Sequence, residues 1–208
     1  MCWSAVASFA TLAGGTLLNI GSYALLRHWS SPAASLVWWW QYGLLMQIPE
    51  GIAWLQLDGG QTDIRAVSRV AFVLNITQPL ALLAAVRASA RFREFRYAHV
   101  AILMYLVAIS TNIEGMWSRA ASIAPDEGCS HLDLRYWDTS LGSTYIVASL
   151  LVVSEVRPLA WAAVHAALLL ITLTFAVTLY PCGVGSVWCW FVFVVGPVLV
   201  LCDRVLAY

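Results

Sequence analysis

Two short stretches place a carboxylate where an apolar side chain is expected. Residues 47–54 read QIPEGIAW and residues 112–117 read NIEGMW, each inside a long apolar run. An ionised carboxylate facing hydrocarbon costs several kcal/mol, by insertion scales about 2.5 or more. Glu50 and Glu114 should therefore turn toward neighbouring helices. Two carboxylates in one apolar site tend to hold a proton between them. Such a pair suits proton coupling, cation binding or general acid–base work.

Helical spacing supplies their companions. Gln47, Glu50 and Trp54 fall at i, i+3 and i+7, on one side of a helix. Asn75 and Gln78 share a side of the next apolar run, and Ser110, Glu114 and Trp117 share a side of the one after it. The simplest arrangement is one polar pocket built from Gln47, Glu50, Trp54, Asn75, Gln78, Glu114 and Trp117, open to the outside. Its ligand would be small and polar or cationic. Pro49 has no N–H for the carbonyl of Leu45, and Gly51 weakens the helix further. Irregular backbone of this kind is tolerated in membranes where it lines a cavity.

A second cluster is Cys2, Cys129, Cys182 and Cys189, on the same expected side of the membrane. An oxidising compartment would permit a disulfide among them. Cys129 and His131, with Asp126, Glu127 and Asp133 nearby, are alternatively donors for a zinc ion, although no second paired motif exists. His99 and His165 read as hydrogen-bonded packing histidines. The Asn75-Ile76-Thr77 sequon lies mid-span, beyond the reach of glycosyl transfer.

The elements that must position these groups follow from composition. The 208 residues are 61% apolar and 11% charged, against about 25% charged in soluble domains. Apolar runs of about 20 residues are the signature of spanning helices. Seven such runs fit one all-α domain over residues 1–208: 4–26, 34–56, 67–86, 97–117, 139–156, 159–180 and 186–206. The first has no basic residue ahead of it and reads as a retained span. Arg27, Arg87, Arg91, Arg93, Arg96, Arg157 and Arg204 then fall on one side, which the positive-inside rule makes cytosolic. The N-terminus is expected outside or in a lumen and the C-terminus in the cytosol. Many of the tryptophans lie at span ends, where their rings anchor at the headgroups. Trp38, Trp39 and Trp40 point three ways around a helix, so at least one must enter the bundle.

All eleven basic residues are arginine. Without lysine, a retinal Schiff base, a pyridoxal site and a P-loop are all excluded. The zero formal charge gives no reason to expect nucleic acid. No known cofactor motif stands out, and the bilayer is the one partner composition demands.

The stretches MCWSAVASF, QIPEGIAW and CGVGSVWCWF together resemble a family of small polytopic proteins from bacteria, algae and large DNA viruses. Its members open with Met-Cys-aromatic-Ser and carry Gln-x-x-Glu-x-x-Trp. This chain departs from that pattern by one residue between Glu50 and Trp54. The resemblance implies no reaction. It emphasises Cys2, Ser4, Gln47, Glu50, Trp54 and residues 182–190. Three functions are then expected in order: a small transporter, channel or receptor-like binder; a membrane-embedded lipid-modifying enzyme using the two glutamates as acid and base; or an accessory subunit of a membrane complex.

Overall fold

The computed structural model describes residues 4–26, 31–88, 96–156, 158–179 and 184–206, apart from 121–138. Among the described residues every regular element is a helix and none is a strand.

The first helix, α1 (Ala5–Leu25), is capped by Ser4, whose Oγ accepts the Ala7 N–H at 3.2 Å. It buries Ala5, Ser8, Thr11, Gly15, Asn19 and Ser22, while Val6, Leu17, Ile20 and Leu25 stand exposed. A helix in water does the reverse. Small and polar inside with apolar outside is the pattern of a helix whose solvent is hydrocarbon. Among the described residues, α1 and residues 97–119 are long and apolar enough to cross a membrane.

The stretch expected as the second span is two helices, α2 (Pro32–Leu44) and α3 (Gln47–Asp58). The break is the one that Pro49 imposes. Leu45 N–H, Met46 N–H and Ile48 N–H each bond three residues back, at 3.1, 3.2 and 3.1 Å, so the chain tightens where the four-residue ladder cannot continue. The third expected span is also divided, into α4 (Arg65–Ile76) and α5 (Gln78–Ala88), which meet at 43°. This bend was not anticipated. Pro79 denies Asn75 its donor, and Thr77 Oγ1 bonds back to the Val73 carbonyl at 2.6 Å, a contact that bends helices. Counted as one span, the pair is a third membrane-crossing candidate. Length and composition thus account for two or three crossings.

The remaining helices are α6 (Arg96–Ala120), α7 (Thr139–Ser154), α8 (Leu159–Leu179) and α9 (Val184–Leu206). α1 packs on α9, α3 and α2; α2 packs on α5 and α9; α6 lies on α7, and α8 on α9. Of the tryptophan triplet, Trp38 is 58% exposed, whereas Trp39 and Trp40 are buried in the main apolar cluster with Leu36, Val152 and Leu169. Gly51 has a packing role. A Cβ there would sit 2.7 Å from the Phe9 ring, so only glycine lets α1 close on α3.

Polar side chains tie the helix ends. Arg204 Nη2 donates to the Leu25 carbonyl at 3.0 Å, fastening the end of α9 to the end of α1. Glu155 Oε1 accepts the N–H groups of Tyr97 and Ala98, both at 2.8 Å, and so caps α6 from the end of α7. Ahead of α4, Asp63 accepts from the Arg65 backbone and guanidinium, with an ion-pair distance of 2.6 Å. The Arg65 side-chain hydrogen bond holds the Asp63 carboxyl down to about 2. A depressed carboxyl stabilises the fold above its ordinary value near 3.8 and loses that contribution as pH falls toward 2. Asp63→Asn should therefore shift the melting temperature slightly at pH 7 and not at all near pH 2. Equal shifts at both would contradict this.

Candidate functional site

The two helix breaks lie side by side and carry four buried polar side chains, Gln47, Glu50, Asn75 and Gln78. On α3, Glu50 is 1% exposed and accepts a hydrogen bond at 3.1 Å from Nε2 of buried Gln47. Pro49 sets this locally, since the turn that cannot be regular presents Gln47 and Glu50 on one face at the start of α3. On α4 and α5, Asn75 and Gln78 are also buried, and Gln78 Nε2 donates to Asn75 Oδ1 at 3.3 Å.

Aromatic side chains fasten the breaks. Tyr145 donates to Gln78 Oε1 at 2.5 Å, Trp39 Nε1 to the Gln78 carbonyl at 2.9 Å, and Tyr105 to the Ile76 carbonyl at 2.9 Å. Tyr42 lies 2.6 Å from Thr77 Oγ1. The Thr77 proton goes to Val73, so Tyr42 is the donor. Two of these bonds satisfy backbone carbonyls at the bend, Ile76 and Gln78, and two satisfy side-chain oxygens, Thr77 Oγ1 and Gln78 Oε1, all of which apolar surroundings would otherwise penalise. Tyr42, Tyr105 and Tyr145 were not singled out from sequence, and Trp39 only as a ring of the triplet that could enter the bundle. Pro79 was the available signal, because each helix break needs donors from elsewhere.

The expected seven-residue pocket forms only in part. Gln47 is joined to Glu50, and Asn75 to Gln78. Trp54 is half-buried against a cluster containing Phe72, Tyr105 and Met116. Trp117 is 39% exposed, meets the Phe72 ring edge-on at 5.8 Å, and carries the Arg69 guanidinium 4.8 Å above it.

Glu114 corrects the expectation. It is exposed, as are Ser110, Thr111 and Asn112, whose side chains return to α6's own carbonyls. α6 buries Ala98, Ala101, Ile102, Tyr105, Ile109 and Met116, a continuous apolar face. Glu114 lies about 200° from Met116 around the helix and points away from that face. The pairing of two glutamates as acid and base goes with it.

The expectation of a hydrogen-bonded His165 also needs correction. It is buried between Trp39, at 4.9 Å, and Trp40, at 5.7 Å, and neither ring nitrogen has a partner among the described residues. A buried imidazole left so destabilises by about 1–3 kcal/mol. His165→Leu should accordingly raise stability, by about 1 kcal/mol after some stacking is lost. Thermal unfolding of the purified variant checks this, and a lowered midpoint would show that His165 has a partner. His99 is exposed.

Cys2, Cys129, His131 and Cys182 lie outside the described residues, as does the side chain of Cys189. Among the described residues, no group of three or more His, Cys, Asp or Glu could hold a metal ion. Glu50 is thus a sheltered carboxylate bonded to one amide, with Asn75 and Gln78 as a second buried amide pair.

No family model matches this chain, and neither a curated protein nor a solved structure matches it.

Proposed function

We propose that this is a seven-helix integral membrane protein with an outer polar pocket at its two broken helices. It binds a small polar or cationic ligand there, as a transporter, channel or receptor-like binder. The carrying observation is Glu50, 1% exposed beside a proline break and hydrogen-bonded to Gln47. Carboxylates within membrane helices are functional by default. Discontinuous helices are the usual place for a transporter's ligand.

The seven crossings in this reading are α1, α2 with α3, α4 with α5, then α6 to α9. Helix-end contacts support it. Leu25 and Arg204 meet, as do Tyr97 and Glu155, as they would if successive crossings alternated in direction. Arg87 and Arg204 fall at that same end, which favours a cytosolic C-terminus and an outer N-terminus. Glu50 then lies roughly 12 Å from the outer end of α3. The likeness to the family with Gln-x-x-Glu-x-x-Trp belongs to this proposal, because Gln47 and Glu50 are the bonded pair.

Glu50→Gln tests it. Wild-type protein in detergent should show a thermal shift with pH and with small ammonium ions, and the variant should lose both. Identical behaviour of the two proteins would overturn the pocket.

A further inference from the structure

The hairpin end beyond Glu50 carries buried polar atoms without hydrogen-bond partners among the described residues. α3 and α4 form a hairpin joined by residues 59–64. Counting equally from that connection sets Trp54 opposite Arg69 and Gln47 opposite Ile76, next to Asn75. Trp54 and Glu50 are four residues apart, so Trp54 lies one turn, about 6 Å, nearer that end on the same face. Trp54 Nε1 and Arg69 Nε are both buried atoms with no hydrogen-bond partner among the described residues. Arg65, the neighbouring cation, is already held by Asp63 at 2.6 Å. Arg69, whose charge also acts on Asp63, lies over the Trp117 ring, and that ring rests against Phe72, which belongs to the cluster Trp54 packs on. Gln56 Oε1 is a third buried atom without a partner among the described residues, an acceptor within reach of an ammonium group's N–H bonds.

A guanidinium Nε–H and an indole N–H without an acceptor among the described residues, one turn outside a carboxylate, are complementary to a molecule carrying both charges. The geometry points to a zwitterion as the ligand, an ammonium group linked through a short chain to a phosphate. The ammonium would lie at Glu50 and Gln47, and the phosphate at Arg69 and Trp54. Phosphoethanolamine, free or as a lipid headgroup, has this chemistry. Arg69 is suited to it because a planar guanidinium meets phosphate through directed N–H bonds. The assignment rests on the Glu50 pocket proposed above.

Binding to the full chain in detergent, measured by calorimetry with three probes, tests it. Phosphoethanolamine should bind most tightly, ethanolamine more weakly, and inorganic phosphate weakest. Arg69→Gln should weaken phosphoethanolamine by about tenfold, the worth of one charge-assisted hydrogen bond, and leave ethanolamine unchanged. Trp54→Phe keeps an aromatic ring of smaller size and removes the N–H, so it should weaken phosphoethanolamine alone, by several-fold. Competition by phosphatidylethanolamine nanodiscs, and not by phosphatidylglycerol ones, assigns the ligand to a lipid; no competition assigns it to a free solute. Wild-type protein that binds ethanolamine as tightly as phosphoethanolamine, with Glu50→Gln abolishing both, would overturn the zwitterion while leaving the pocket. Binding of no probe, with Glu50→Gln inert, would remove both.

Discussion

Glu155→Ala is expected to destabilise the protein by about 3 kcal/mol, through the start of α6 rather than its own helix. The first four N–H groups of any helix lack partners within it. At α6, the N–H groups of Tyr97 and Ala98 both find Glu155 Oε1 at 2.8 Å. Each bond to a charged acceptor contributes about 1.5–3 kcal/mol, and a carboxylate at a helix N-terminus also interacts favourably with the dipole. Ala98 is buried, so water cannot readily replace the lost acceptor. Glu155→Gln keeps an oxygen and should recover about half of the loss. Thermal unfolding in detergent gives the magnitude, and amide exchange at Tyr97 and Ala98 gives the place. An unchanged midpoint together with protected amides would contradict the tertiary cap.

Gly196→Ala should be the second large effect, about 2 kcal/mol, although alanine is the better helix former by about 1 kcal/mol. A Cβ at Gly196 would run into Asn19 Oδ1 and lie 3.0 Å from Ser22 Oγ. Asn19 cannot easily retreat. Its Nδ2 donates to Gln41 Oε1 at 3.0 Å, and Gln41 Nε2 donates to Thr16 Oγ1 at 3.0 Å. The new methyl would therefore push α9 off α1, or break the amide chain that joins α1 to α2. Gly21→Ala is the internal control, since nothing lies within 4 Å of its position. There the propensity gain should appear unopposed. Combining Gly196→Ala with Asn19→Ala should return much of the loss, and the double-mutant cycle measures how much of it is this contact. Equal effects at Gly196 and Gly21 would show that the close approach does not matter.

The sequence by itself determined whatever acts within one helix. Its apolar runs made the chain all-helical. The i, i+3 spacing of Gln47 and Glu50 made them neighbours, since residues three apart share a helix face whatever lies opposite. Pro49 broke α2 from α3 because a missing N–H is a covalent fact. The arginine-only composition excluded lysine chemistry.

Tertiary structure decided everything that depends on how each helix is rotated about its axis. Glu114 has nearly the local setting of Glu50, a glutamate followed by glycine in an apolar run. Packing turned the apolar Ile109 and Met116 face of α6 inward, and Glu114 was carried outward with the opposite face. Trp38, Trp39 and Trp40 were divided between surface and core in the same way. The donors that serve the break between α4 and α5, Tyr42, Tyr105, Tyr145 and Trp39, come from three different helices. The acceptor that caps α6 arrives from 57 and 58 residues away. No local spacing encodes such pairs, because a hydrogen bond between helices exists only once packing has chosen which faces meet.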